Sequence, residues 1–284
     1  MTRFADIDLP ALPPPNVIQP LDYEAVLAGL KTDMKAALAE VLPNWDPTLE
    51  SDAVVIQLEV WAEEIIRLRT QTNDAAHATM LAHALGPDLD QIGALLGTAR
   101  LDGESDAAFR VRIQMAWEGL STAGPEGAYV YHALSADPRV RDVSVASPVP
   151  GTVVVSVLAT DGDGTAPDDL IAGVEAALSA ETVRPLTDTV VVETAQILAY
   201  SVEAVLTIAE GPDAAVVIAE ATTRLRAAVD AAHVLGGTVS LSALYAALHV
   251  EGVISVDLIQ PTGAIVAQAH QAPVCAALSV TRGG

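Results

Sequence analysis

Glu118-Gly119-Leu120-Ser121-Thr122-Ala123-Gly124-Pro125-Glu126-Gly127-Ala128-Tyr129-Val130-Tyr131-His132-Ala133-Leu134-Ser135-Ala136-Asp137-Pro138 is the stretch where the chain changes texture. Before it, apolar residues recur at helical spacing; after it, they alternate as strands require. The stretch itself holds a glycine-rich break and a helix predicted to start near Pro125. It hands the chain to Val140-Arg141-Asp142-Val143-Ser144-Val145, the first strand-like run. The fold class that follows is α+β: an N-terminal helical region with a long helix, followed by two small α/β modules.

Downstream of the break, strands are predicted over residues 140–146 and 152–158, divided by the turn Pro148-Val149-Pro150-Gly151. Asp161-Gly162-Asp163-Gly164-Thr165 turns into a helix over 167–180, and a strand follows at 187–192. A second block reads strand 200–208, helix 212–232, a stop at Gly236-Gly237, helix 240–248, and strands 253–259 and 276–281. Tyr245-Ala246-Ala247-Leu248 leading to Val253-Ile254-Ser255-Val256 echoes Tyr131-His132-Ala133-Leu134 leading to Val140-Arg141-Asp142-Val143. The two blocks thus read as modules of related design in a different element order.

Upstream, helices are predicted over 106–119, 88–96 and 21–41. A long one runs over 48–85, with Asp46 as cap, Pro47 at its first turn and Gly86-Pro87 as its stop. Such a helix either bundles with another chain or crosses its own domain. Residues 1–20 carry Pro10, Pro13, Pro14, Pro15 and Pro20 among Leu9, Leu12, Val17 and Ile18. Proline fixes φ and donates no hydrogen bond, so this is an extended arm. It lies either along a neighbour or over its own domain. The organisation expected is an arm 1–20, a helical bundle domain 21–120, a first α/β module 121–195 and a second 196–284.

Composition narrows the function classes. The formal charge is −23, from 37 acidic against 14 basic residues, which disfavours nucleic acid and anionic membrane as partners. Uncharged windows at 143–160 and 258–281 are interrupted by prolines and glycines, so they read as strand–turn–strand and not as membrane spans. The start lacks the pattern of a signal peptide. The single cysteine, Cys275, excludes an internal disulfide and a cysteine-rich metal site. His77 and His83, six apart, are expected on different sides of the long helix, and the other histidines stand alone. Asp161–Thr165 starts like a calcium loop, but Ala172 occupies the position of the bidentate glutamate. No nucleophile elbow, phosphate loop or dinucleotide fingerprint follows a strand. No cofactor, metal or catalytic residue is expected, and the chain reads as a non-enzyme.

Taken in order, several phrases resemble those of the baseplate J-like proteins of contractile phage tails. They are Asp46-Pro47, Leu58 with Arg67-Leu68-Arg69, Asp88-Leu89-Asp90-Gln91-Ile92-Gly93-Ala94-Leu95-Leu96-Gly97, and Glu104-Ser105-Asp106-Ala107-Ala108-Phe109-Arg110-Val111-Arg112-Ile113. Downstream come the stretch from Leu120 to Pro138, Asp161–Thr165, Val183-Arg184-Pro185-Leu186-Thr187-Asp188, Gly211-Pro212-Asp213, and Ser242-Ala243-Leu244-Tyr245-Ala246-Ala247-Leu248-His249. Asp74-Ala75-Ala76-His77-Ala78 departs from the family, which carries more arginine and aromatic residues there.

The resemblance implies a wedge component that is paired within each wedge and repeated around a central hub or spike with sixfold symmetry. Implied partners are a second copy of the chain, a tail protein I-like wedge subunit and a lysozyme-like sheath-initiating wedge protein. The place implied is the tail baseplate of a virion, made and assembled in the bacterial host cytoplasm. Residues expected at partner contacts are Leu58, Trp61, Ile65 and Leu68 on the long helix, with Leu9 and Leu12 on the arm. Hinges are expected at Gly119 and Gly124 and at Gly236 and Gly237. The rival class is a stand-alone acidic adaptor that works as a monomer.

Overall fold

The computed structural model describes residues 7–121, 125–180, 183–185, 187–211 and 213–283. The chain divides into two compact units, Met1–Ala99 and Arg100–Gly284.

The first unit is helical: α1 (Tyr23–Leu38), α2 (Ala53–Ala78) and α3 (Gly86–Leu95). Asp22 caps α1 by accepting from the Ala25 N–H at 2.9 Å. The long helix is shorter than its apolar pattern predicts, 26 residues within the expected 48–85. Its cap is Asp52, not Asp46: one Asp52 oxygen accepts from Val54 N at 2.7 Å and the other from the Trp45 indole at 3.2 Å. Asp46 accepts from the Thr48 hydroxyl in the preceding loop, and Pro47 lies in that loop too. At the other end Gly86-Pro87 does not stop α2; it opens α3, where proline's missing N–H costs nothing. Because α2 ends at Ala78, the chain turns and brings His77 against His83, ring centroids 4.6 Å apart and planes tilted by 42°. The expectation that these two face different sides fails for that reason.

α1 packs on α2 through Leu27, Leu58 and Ala62, flanked by Tyr23, Leu30, Met34 and Trp45. The arm opens with a short 3₁₀ turn, Leu9–Ala11, and its far end is strapped to α2. The buried Asn73 side chain accepts from Gln19 N at 2.8 Å and donates to Gln19 O at 2.9 Å. Arg69 adds a bond to Pro20 O.

The second unit starts earlier than the expected module boundary: α4 (Asp106–Gln114) and the 3₁₀ turn Glu118–Leu120 belong with the α/β modules. Arg112 on α4 reaches the Ser135 hydroxyl at 3.1 Å, just past α5 (Glu126–Leu134). The first module adds β1 (Val140–Val149), β2 (Thr152–Ala159), α6 (Asp168–Leu178) and β3 (Thr189–Thr194). Its sheet runs β1-β2-β3, antiparallel then parallel.

The second module comprises β4 (Gln196–Ile208), α7 (Ala214–Ala232), the short β5 (Thr238–Val239), α8 (Leu241–Leu248), β6 (Val253–Gln260), the short β7 (Ile265–Val266) and β8 (Gln271–Arg282). Its sheet runs β6-β4-β8, again antiparallel then parallel about the central strand. β6 therefore takes the place of β1, β4 that of β2 and β8 that of β3. In each module a helix, α5 or α8, leads into the antiparallel strand, and another, α6 or α7, follows the central one. The element order differs while the sheet is the same.

The V-x-x-V echo has a structural cause. Val140 pairs with Ala159 and Asp142 with Leu158, so Arg141 is an extra residue; Val253 pairs with Ile208 and Ser255 with Thr207, so Ile254 is another. In a regular strand, positions three apart face opposite sides. One bulge between them restores the side, and Val140, Val143 and Val253 are all buried. The core of the second module forms where α7 and α8 cover β4 through Val202, Ala204, Leu206, Val217, Leu225 and Leu248.

Candidate assembly surfaces

Helix α2 sorts its apolar residues onto two neighbouring faces. Val55, Leu58 and Ala62 are buried against the chain's own helices. Trp61, Ile65 and Leu68, spaced four and three apart, form a second stripe roughly a quarter turn round the helix. Trp61 is 45% and Leu68 49% exposed, and Ile65 is half-buried. Leu58 is only 1% exposed, so α1 already occupies the face it was expected to offer a partner. On the arm, Leu9 is half-buried and Leu12 exposed, ahead of the Gln19 strap. The Asn73 strap escaped sequence reasoning, because Asn73 lies in a polar run, Thr70-Gln71-Thr72-Asn73-Asp74, near the end of α2, where a buried side chain is not announced.

Two of the expected hinge residues, Gly119 and Gly237, occupy crowded places. An atom at the Cβ position of Gly119 would lie 2.2 Å from Tyr131 Cδ1, so the 3₁₀ turn is pressed against the α5 ring. On Gly127 the same atom would lie 2.6 Å from the Glu118 carboxylate. Gly124 lies outside the described residues. Gly237 has no room at all, with the Ala232 and Val234 carbonyls 2.2 and 2.8 Å from a Cβ. Gly236, at φ +70°, donates to Gln271 O at 2.9 Å. The glycine pair is a tied turn within the second module, after α7.

The phrase from Glu104 to Ile113 builds a buried charged joint. Glu104 and Arg112 pair in two-pronged fashion, Ser105 caps α4 at Ala108 N, and Glu104 also accepts from Leu101 N. Arg100 lies over the Phe109 ring at 4.6 Å and pairs with Asp106 at 2.8 Å. Nothing in the spacing alone announced that Glu104 would find Arg112.

A second joint clasps the two modules together, and its residues come from the β1 bulge. Asp142 accepts from Leu235 N at 2.8 Å, and Arg141 donates to Asp230 O at 2.8 Å. Leu158, Ala195, Leu235 and Ala272 close an apolar cluster across the same contact. Packing on both faces explains why the second half of β2 is buried without interruption.

Remaining candidates for chemistry are engaged in structure. Asp163 accepts from Thr165 N at 3.0 Å, which holds its carboxyl below the usual range and makes the Asp161–Thr165 segment a side-chain-stabilised turn. Burial pushes the Cys275 thiol up, away from thiolate reactivity. Among the described residues no group of three histidine, cysteine or carboxylate side chains is placed to hold a metal, and no helix is long and apolar enough to cross a membrane.

An apolar helix stripe, an extended arm and two clasped modules define a protein built of packing surfaces, in the class of assembly components. Models of the Baseplate J-like N-terminal, central and C-terminal domains match residues 50–102, 121–194 and 200–281. Baseplate protein J of Escherichia phage P2 is 44% identical over an alignment 301 positions long, covering 98% of both chains. The chain belongs to the Baseplate J-like family, and is thus a structural baseplate protein and not an enzyme. A chain in the cryo-EM structure of the anti-feeding prophage (AFP) baseplate, 6-fold symmetrised, aligns with 61% of this chain at 14% identity. The match spans 42% of that chain with a TM-score of 0.43, a likeness too remote to define contacts.

Proposed function

We propose that the chain is a wedge subunit of a contractile tail baseplate in the virion, paired with a second copy inside each wedge. Pairs then join neighbouring wedges into a sixfold ring around the central hub or spike. The tail protein I-like subunit and the lysozyme-like sheath-initiating protein are the other wedge partners in this reading, with assembly in the host cytoplasm. Relative motion of the helical unit and the α/β modules accompanies ring opening.

The observation that carries the reading is the Trp61–Ile65–Leu68 stripe. It lies beside the buried α1–α2 seam, yet two of its three side chains are about half exposed. Large apolar side chains left uncovered on a helix favour burial against another helix, with specificity set by packing.

Light scattering of the chain, alone and co-expressed with the adjacent tail protein I-like product, tests it. Two copies of this chain held with one partner is the expected complex, and Trp61→Glu with Leu68→Asp should disperse it while the fold survives. A monomer indifferent to that partner would replace the wedge with the stand-alone adaptor.

A further inference from the structure

Between the two modules lies a cleft of about 320 Å³, lined by Arg141 and Gly162 from the first and by Arg226, Asp230, His233 and Cys275 from the second. Its charge runs against that of the chain. Acidic residues outnumber basic ones 37 to 14, and Arg112, Arg139 and Arg224 each pair with a carboxylate of the chain. Arg141 instead donates to a main-chain carbonyl, that of Asp230, which leaves its charge unneutralised. Arg226 is exposed and makes no ion pair among the described residues, even with Asp230 one turn further along α7. His233 is buried, and its Nδ1 lies 2.7 Å from Pro273 O. A carbonyl only accepts, so that nitrogen carries the hydrogen.

A second observation lies beside the same cleft, next to one of its lining residues. The Tyr200 hydroxyl is the buried side-chain polar atom that lacks a hydrogen-bond partner among the described residues, in a residue only 9% exposed. Tyr200 stands beside Cys275, one of the residues lining the cleft, in the β4–β8 ladder; burial first, then the nearness of Cys275 and Asp230, raises its phenol. A buried donor without an acceptor is costly, and an acceptor arriving from outside the chain would satisfy it.

We propose that this cleft is a carboxylate-binding site, which takes an acidic side chain from a peptide segment of another protein chain. Arg141 and Arg226 supply the planar forks that fit a carboxylate, and the Tyr200 hydroxyl supplies a third donor. The Asp230 carboxylate at the rim opposes entry, so the two arginines outweigh it only while both are present. The site goes beyond the wedge reading and does not depend on the α2 stripe.

Titration calorimetry of the full chain with a hexaglutamate peptide tests the site, with hexaglutamine as control. Saturable binding is expected at low salt, weakened by added salt because the contacts are charged. Arg226→Gln should weaken it roughly tenfold, the weight of one charge-assisted contact. Tyr200→Phe should weaken it too, yet leave the melting temperature of the free chain unchanged or higher, because its hydroxyl bonds nothing there. Absence of hexaglutamate binding at low salt, or equal binding by wild type and both variants, would overturn the proposal. Sedimentation then finds the source. Self-association that Arg226→Gln abolishes assigns the carboxylate to a second copy, while a monomer that binds hexaglutamate assigns it to a different protein.

Discussion

Arg112 and Glu104 meet through two bonds, Nε to Oε1 at 2.6 Å and Nη2 to Oε2 at 2.7 Å, with both side chains almost wholly buried. Removing one partner strands the other charge in the interior. Glu104→Ala or Arg112→Ala should each destabilise the second unit by about 3–5 kcal/mol, whereas joint replacement by apolar residues of similar size should recover most of the loss. Urea unfolding of the three variants measures it, and additive single effects would contradict a closed pair.

Asn73 holds the arm to α2 by bonding both main-chain groups of Gln19. Asn73→Ala should cost roughly 1–3 kcal/mol and free residues 7–20 for proteolysis. Limited digestion read by mass spectrometry distinguishes this from an arm that holds itself. Unchanged cleavage in the variant would show that other contacts carry the strap.

Neighbouring glycines should respond differently. Gly236→Ala places a side chain at φ +70° in ordinary contact with Ala269, 3.8 Å away, at a cost of about 1–2 kcal/mol. Gly237→Ala drives Cβ against two carbonyls, which cannot swing aside as a side chain can. Its cost should exceed about 3 kcal/mol, beyond ordinary overpacking. Thermal melts of the two variants give the comparison.

Tyr129 donates to Asp188 at 2.8 Å, and burial, with Asp188 adding to it, raises its phenol above the usual value. The raised group contributes stability in full below its unfolded pKa of about 10, and loses it as pH climbs towards the folded value. Tyr129→Phe should cost roughly 1–3 kcal/mol at neutral pH and flatten part of the alkaline slope. Urea midpoints followed into strong alkali check both effects, with Tyr200, raised chiefly by burial, and Tyr23 adding tyrosine slope of their own.

Leu58 and Leu68 lie on the same helix with opposite expected outcomes. Leu58→Ala should destabilise the helical unit by about 2–5 kcal/mol, as for a buried leucine. Leu68→Ala should change its stability by less than about 0.5 kcal/mol. Circular dichroism melts of the two variants decide between a core and a surface position.

Much of the fold was legible in the residues. Helical spacing before the Glu118–Pro138 stretch and alternation after it placed the long elements, because period and turn chemistry act locally, although the helix expected over 48–85 spans only Ala53–Ala78. The repeated V-x-x-V even carried the bulge, since only an extra residue lets valines three apart share a core. Local pattern could not say where α2 begins: two aspartates precede it, and the Trp45 indole bond to Asp52 accompanies the cap that forms. Nor could it divide α2 into a face that α1 covers and a face left open, because amphipathicity names an apolar side without naming what covers it. The pairing of Glu104 with Arg112, the strap from Gln19 to Asn73 and the clasp from Asp142 to Leu235 join residues 8, 54 and 93 positions apart. Those partners were decided by the path of the chain through space, where burial strips water from each polar group and requires that another part of the protein replace it.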